Sequence, residues 1–122
     1  MISLKFTICF FILRIMTKVK KTLTINIFTE IGTTIAVTQQ SAQIVFNKID
    51  KILSLGLKVK IDFTNIELIT PAFLNAAIGQ LYSKYSGNEL QEKIELQNLL
   101  TEDIGLFQKV INNAKVYFKD SE

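Results

Sequence analysis

The chain has 122 residues, enough for one hydrophobic core but too few for two domains of ordinary size. Its 48% hydrophobic and 20% charged residues are typical of a globular protein, and the absence of histidine excludes a Ser-His-Asp triad, a Cys-His pair and imidazole metal ligands. The single Cys9 cannot form an internal disulfide, so nothing points to an oxidising compartment, and we expect a cytoplasmic protein.

The net charge of +3 is unevenly distributed along the chain. Five basic residues precede the first acidic residue, Glu30, whereas nine lysines and eleven acids follow Lys21. A nucleic-acid-binding protein needs a basic stripe on the folded domain itself, and here the later lysines are interleaved with acids. We therefore expect no nucleic-acid partner.

The first 15 residues contain an apolar run, Phe6–Leu13, that needs an interpretation of its own. A membrane-spanning helix takes about 20 apolar residues, and a signal peptide needs a small-residue cleavage site that is absent here. We therefore expect no membrane insertion, and favour a native start at Met16 with one domain over residues 16–122. The alternative is that residues 1–15 add an apolar strand or helix.

The first half of the domain predicts a strand, a turn and a helix. Alternating apolar residues over Thr22–Phe28 indicate the first strand, and Gly32 indicates a turn. Ile35–Val37 is compatible with a short strand or with the approach to a helix. Apolar residues then recur every three or four positions over residues 39–55, which predicts a helix that Thr38 or Ser41 caps and Gly56 ends.

The stretch Lys58–Leu81 predicts the centre of the fold. Lys58–Phe63 alternates as a buried strand does, and Thr70 followed by Pro71 is typical of a helix start. The helix should bury five apolar side chains: Phe73, Leu74, Ala77, Ile78 and Leu81. The strand carboxylate Asp62 and this helix start should then lie on one edge of the sheet, where open α/β folds place their ligands and partners.

The remaining chain predicts a link, a strand and a helix. Leu90–Lys93 should be a short polar link, and Ile94–Leu96 a strand at or near the sheet edge. Thr101 should cap the last helix. The buried face of that helix should comprise Ile104, Phe107, Val110, Ile111, Ala114 and Phe118. The order of elements predicts an α/β fold whose helix-linked strands are parallel.

The stretch IDFTNIELITPAFLNAAIGQL resembles the STAS-like domains, which are related to bacterial anti-sigma-factor antagonists. In the antagonists a strand ends in Asp-hydrophobic-Ser, matched here by Asp62-Phe63-Thr64, and Asp-Ser-Ser-Gly-Leu opens the next helix. The chain has Thr70-Pro71-Ala72-Phe73-Leu74 instead, which is closer to a STAS-like subfamily of unknown function and puts Ala72 at the position of the phosphorylated serine. The resemblance implies a small mixed sheet with helices packed mainly on one face.

The resemblance also implies a non-catalytic regulatory module that binds a protein, possible partners being kinase-like ATPases of the anti-sigma type. Its candidate docking edge comprises Asp62, Thr64, Asn65, Thr70, Pro71, Ala72 and Asn75. Asp62 could alternatively bind a metal, position a phosphate or act as a base, although capping its own loop explains it more simply. Thr70 could accept a phosphate, but helix capping is the favoured role.

A rival hypothesis of a different class is a small enzyme or nucleotide-binding domain that uses Asp62 and Thr64. A structural subunit acting through an apolar N-terminal arm is a third. The five scattered glycines form no phosphate-binding loop, so the sequence implies no cofactor. We expect the chain not to be an enzyme.

Overall fold

The computed structural model describes residues 22–119, which contain two parallel sheets and five α-helices. The larger sheet contains β1 (Thr22–Asn26), β3 (Lys58–Asp62) and β5 (Ile94–Gln97) in the order β1-β3-β5. The smaller sheet pairs β2 (Ile35–Ala36) with β4 (Leu68–Ile69). The predictions for residues 1–15 lie outside the described part of the chain.

The helices are short except for two. They are α1 (Ile27–Ile31), α2 (Gln39–Ser54), α3 (Pro71–Ala77), α4 (Gly87–Lys93) and α5 (Thr101–Lys119), with a 3₁₀ turn at Gly79–Ser83. Thr38 caps α2, and Gly56 follows its end with a φ of 79°, a left-handed conformation that favours glycine. Within residues 22–119 no helix is both long and apolar enough to cross a bilayer.

The strands of the larger sheet bury one face and leave the other polar. Ile25, Val59 and Ile61 are buried, whereas Thr24 and Glu95 on the opposite face are exposed. The helices pack on the buried face and on one another, with α3 between α2 and α5. The buried side chains of these three helices are Ala42, Val45, Ile49, Ile52 and Leu53 of α2, Phe73, Leu74 and Ala77 of α3, and Val110, Ile111 and Ala114 of α5.

The predicted class of fold is confirmed. All strand pairs among residues 22–119 are parallel, as expected for strands joined through helices, so this part of the chain shows no antiparallel pair of the expected mixed sheet. β5 lies at an edge of the sheet that residues 22–119 form, in agreement with its predicted place at or near the sheet edge. All five apolar side chains predicted to be buried by the central helix are buried.

Three predicted element boundaries are wrong. The central helix, predicted to reach Leu81, ends at Ala77 and is followed by the 3₁₀ turn Gly79–Ser83. The first strand ends at Asn26 and not at Phe28, because the Asn26 side chain accepts a hydrogen bond from the Thr29 amide and so caps α1. Leu90–Lys93 is not a link but the second half of α4, which Ser86 caps through the amide of Glu89. The small polar residues Ser86, Gly87 and Asn88 therefore stand at the start of a helix.

The last helix also differs from its prediction. Thr101 is the first helical residue and therefore does not stand at the capping position that precedes the helix. Ile104 is 43% exposed rather than buried, and Phe107 and Phe118 are only partly buried. The helix thus contacts the core mainly through Val110, Ile111 and Ala114, in its second half.

Candidate functional site

The carboxylate of Asp62 lies at the centre of a polar cluster at the carboxyl ends of the larger sheet's strands. Its Oδ1 atom accepts hydrogen bonds from the Thr64 hydroxyl at 2.6 Å, the Thr64 amide at 3.0 Å and Asn98 Nδ2 at 2.9 Å. Its Oδ2 atom accepts a longer one, 3.4 Å, from Asn26 Nδ2. We call Asn26, Asp62, Thr64 and Asn98 the Asp62 cluster.

The hydrogen bonds of the Asp62 cluster favour the charged form of Asp62. Donation from the side chain of Asn98 and then from that of Thr64 lowers the pKa of Asp62 below its ordinary value, although burial acts in the opposite direction. A carboxylate with a lowered pKa is a weak base, and its Oδ1 atom already accepts three hydrogen bonds. The hydrogen bonds therefore fix the position of the Asp62 side chain, and they do not favour its use as a proton acceptor.

Two members of the Asp62 cluster were missed by the sequence reasoning. Asn26 ends β1 and stands opposite Asp62 in the register of the sheet, and Asn98 directly follows β5 with a φ of 59°. Asparagine is one of the few residues that readily adopts this left-handed conformation, so an asparagine just after a predicted strand was the available signal. This asparagine could be assigned to the same cluster as Asp62 only once the strand order β1-β3-β5 was known.

The topology of the larger sheet provides no switch point for a ligand beside Asp62, although Asn98 lines a groove of about 410 Å³ with Leu96, Leu99, Ile104, Phe107 and Gln108. Ligands of open α/β sheets bind where neighbouring strands are connected in opposite directions. Here the chain moves from β1 to β3 and on to β5 in a single direction, so the three described strands contain no such point. Residues 22–119 also contain no group of three His, Cys, Asp or Glu side chains placed to hold a metal ion.

The start of α3 forms the second part of the predicted docking edge. The Thr70 hydroxyl accepts a hydrogen bond from the Phe73 amide at 3.2 Å, and the Thr70 carbonyl accepts one from the Leu74 amide at 3.1 Å. Thr70 is therefore a helix cap, as predicted, with Pro71 at the first helical position. Both Pro71 and Ala72 are exposed.

Two open grooves run along either side of α3. One, of about 670 Å³, separates α3 from α5 and is lined by Pro71, Ala72, Asn75, Gln80, Val110, Asn113, Ala114, Tyr117 and Phe118. The other, of about 600 Å³, lies towards α2 and is lined by Val37, Gln39, Gln43, Ala72, Asn75, Ala76 and Gln80. Ala72, Asn75 and Gln80 line both grooves, and we call these three residues the α3 ridge.

The predicted docking residues thus fall into two groups. Asp62 and Thr64 belong to the Asp62 cluster, and Asn65 follows them in a turn with a φ of 68°. Pro71, Ala72 and Asn75 lie at the grooves, behind the cap residue Thr70. Among residues 22–119 no direct hydrogen bond joins the two groups, and neither groove is lined by a member of the first. A role in partner binding remains a prediction for all seven residues.

Comparison with known proteins gives one positive result. The family model of the STAS-like domain of unknown function (DUF4325) matches residues 41–103, just over half of the chain. The match covers Asp62, Thr64, Asn98 and the whole of α3, but not Asn26. Searches of curated proteins and of solved structures gave no significant match. On its fold and on this match, the chain belongs to the STAS-like domains of unknown function.

Proposed function

We propose that the chain is a non-catalytic regulatory module of the cytoplasm that binds another protein through the start of α3. The observation that carries the proposal is the position of Pro71, Ala72 and Asn75, which are exposed beside open grooves rather than packed in the core. Open grooves on a helix face fit a protein surface better than they fit a small molecule, which is usually enclosed by its pocket.

The proposed partner is a kinase-like ATPase of the anti-sigma type. This part of the proposal rests on the resemblance of residues 58–81 to the anti-sigma-factor antagonists and is therefore an analogy at the level of fold and motif. In the antagonists a serine at the helix start is phosphorylated, and the added charge ends the partner contact. Ala72 stands at that position here, so we propose that docking is not switched by phosphate at this helix.

The Asp62 cluster has a structural role in this proposal. Its hydrogen bonds connect residues at the carboxyl ends of β1, β3 and β5, and so hold the loop that leads from β3 towards α3. The alternative, a nucleotide-binding or phosphoryl-handling site at Asp62 and Thr64, would need these side chains to exchange their mutual hydrogen bonds for bonds to a ligand. The lowered pKa of Asp62 also argues against its use as a base.

The proposal can be tested by nuclear magnetic resonance on the isotope-labelled chain. Addition of an anti-sigma-type ATPase from the same organism should shift the signals of Pro71, Ala72, Asn75 and their groove neighbours, and leave those of the Asp62 cluster nearly unchanged. Addition of ATP and magnesium without the ATPase should shift neither set. Shifts at Asp62 and Thr64 with ATP alone would overturn the proposal in favour of the nucleotide-binding alternative.

A further inference from the structure

Gly79 begins the 3₁₀ turn that follows α3 and lies one helical turn after Asn75, a member of the α3 ridge. It is buried, and its backbone does not have the positive φ that favours glycine. The conformation of the chain therefore does not explain why residue 79 has no side chain. The space around it gives a different reason.

The Asn75 side chain occupies that space. A Cβ atom on residue 79 would lie 2.5 Å from Asn75 Oδ1 and 3.4 Å from Asn75 Cγ, and the first distance is well inside van der Waals contact. The Cβ atom of Ala114 in α5 would be 3.7 Å away, which is an ordinary contact distance. The conflict is therefore with the Asn75 carboxamide, which lies over the Gly79 backbone where a side chain would stand.

This placement puts the carboxamide where the two grooves beside α3 meet. Asn75 lines both grooves, and so does Gln80, the residue after Gly79. An exposed asparagine that is free to rotate samples several rotamers, and ordering it on binding costs conformational entropy. A carboxamide that already lies against the backbone avoids part of this cost and offers its hydrogen-bonding atoms to a partner at a fixed point.

We infer that Gly79 is a positioning residue for partner binding: because it has no side chain, the Asn75 carboxamide can take the orientation that the partner recognises. This role rests on the proposed function, in which Asn75 contacts the partner. Gly79 itself lines neither groove, so it acts through Asn75 and not by a contact of its own.

A single methyl group on residue 79 should therefore be enough to change binding. Alanine is compatible with the Gly79 backbone, and the conflicting atom is the end of a rotatable side chain, so Gly79→Ala should fold with Asn75 in another rotamer. Gly105→Ala in α5 is the matched control. Gly105 is also helical without a positive φ, and no atom of the described residues lies within 4 Å of the place its Cβ would take.

The first measurement is made on the full chain alone. Three-bond couplings in nuclear magnetic resonance report the χ1 rotamer of Asn75 in the parent, Gly79→Ala and Gly105→Ala. We expect one predominant rotamer in the parent and in Gly105→Ala, and a different one in Gly79→Ala. Unchanged Asn75 couplings in a folded Gly79→Ala variant would overturn the inference. So would couplings in the parent that are averaged over several rotamers, a result that needs no variant.

The second measurement is the affinity of the full chain for an anti-sigma-type ATPase, determined by calorimetry. It compares the parent, Gly79→Ala, Asn75→Ala, the double variant and Gly105→Ala. Gly79→Ala should weaken binding about fivefold or more in the parent but have little further effect in the Asn75→Ala background, since it acts through Asn75. Gly105→Ala should bind as the parent does. Parent affinity in Gly79→Ala, or an equal loss in both backgrounds, would contradict the role of Gly79.

Failure of this role and failure of the proposed function give different results. A parent chain that does not bind the ATPase overturns the proposed function, and the role of Gly79 in binding with it. A parent that binds, while the Gly79 and Asn75 variants show no coupling, overturns the role of Gly79 alone.

Discussion

At the scale of the residue, Asp62 shows how a candidate catalytic side chain can serve the fold. A carboxylate at a strand end is compatible with a base, a metal ligand or a loop cap when only the sequence is known. In the structure it accepts hydrogen bonds from Thr64, Asn98 and Asn26, which follow or end three neighbouring strands. Through these hydrogen bonds Asp62 connects the carboxyl ends of the three strands.

The lowered pKa of Asp62 predicts a loss of stability in acid. A carboxyl group whose pKa is lower in the folded than in the unfolded chain stabilises the fold above the unfolded value of 3.8, and this stabilisation is lost as the pH falls through the folded pKa. Asp62→Asn should therefore flatten the dependence of the free energy of unfolding on pH below about pH 4. The measurement is urea denaturation of parent and variant between neutral pH and acid.

Asp50 provides a comparison for this experiment. Its pKa is also lowered, mainly by hydrogen bonds from Lys84 and Tyr85, so Asp50→Asn should flatten the same curve and the double variant should be flattest. Curves for Asp62→Asn and parent that stay parallel in acid would mean that the Asp62 cluster is not formed in solution.

Thr70 gives a second prediction at this scale. Its hydroxyl oxygen accepts a hydrogen bond from the Phe73 amide and is thereby held in the cap of α3. The Thr64 hydroxyl donates to Asp62, a hydrogen bond that a phosphate on Thr64 would remove. After incubation with an anti-sigma-type ATPase and ATP, mass spectrometry should find no phosphate within residues 62–75. Stoichiometric phosphate on Thr70 or Thr64 would restore the mechanism of the antagonists.

At the scale of the element, β3 and α3 form the centre of the core. Ile61 of β3 is fully buried, and Phe73 of α3 is 1% exposed. Ile61→Ala or Phe73→Ala should each lower the free energy of unfolding by about 2–5 kcal/mol, because each leaves a cavity in a packed interior. Chemical denaturation measures the loss.

A matched substitution in the same region serves as the control. Leu68 in β4 is 53% exposed, so Leu68→Ala should change the free energy of unfolding by no more than about 1 kcal/mol. Equal losses for Leu68→Ala and Ile61→Ala would place the core elsewhere.

The elements that could be predicted from sequence are those with a periodic apolar pattern over many residues or with a distinct capping residue. α2 has apolar residues at helical spacing over several turns, and Thr70-Pro71 marks the start of α3 independently of its surroundings. β2 and β4 contain two residues each, too few for any alternation to be recognised, and they are strands only because they pair with each other. Ile35–Val37 was therefore compatible with a short strand but could not be assigned to one before its pairing with β4 was known.

The candidate site, too, could be predicted from the sequence only in part. Asp62 and the start of α3 were found because both lie in one continuous stretch of sequence. Asn26 and Asn98 are each 36 positions away from Asp62 and meet it only through the order of the strands. The grooves beside α3 depend on how α5 and α2 pack, which no local pattern determines.

At the scale of the whole molecule, the architecture explains where a partner can bind. The three strands advance in one direction with the helices on one face, so the described sheet has no point at its carboxyl edge where neighbouring strands are connected in opposite directions. The larger concave surfaces described here lie between the helices, on both sides of α3. A domain of this kind presents a helix face for binding.

The start at Met16 remains a prediction at this scale. The described residues 22–119 already form a continuous core that includes both sheets and their helices. A chain that begins at Met16 should therefore unfold in a thermal scan as cooperatively as the full chain. A broad, early transition in the shorter chain would show that residues 1–15 contribute to the packed domain.

The central claim is that the start of α3 binds a protein partner, and one affinity measurement tests it most directly. The dissociation constant for an anti-sigma-type ATPase should be compared between the parent, Ala72→Asp and Gln91→Glu, by calorimetry. Ala72→Asp adds an acid to the first turn of α3, where the helix dipole favours it by about 0.3–1 kcal/mol, so the fold should be kept.

We predict that Ala72→Asp binds the ATPase about tenfold or more weakly than the parent, because it places charge and bulk on the contact surface. Gln91→Glu, which adds the same charge on α4, should bind as the parent does. Parent-like affinity in a folded Ala72→Asp variant would contradict the account and move the interface away from α3.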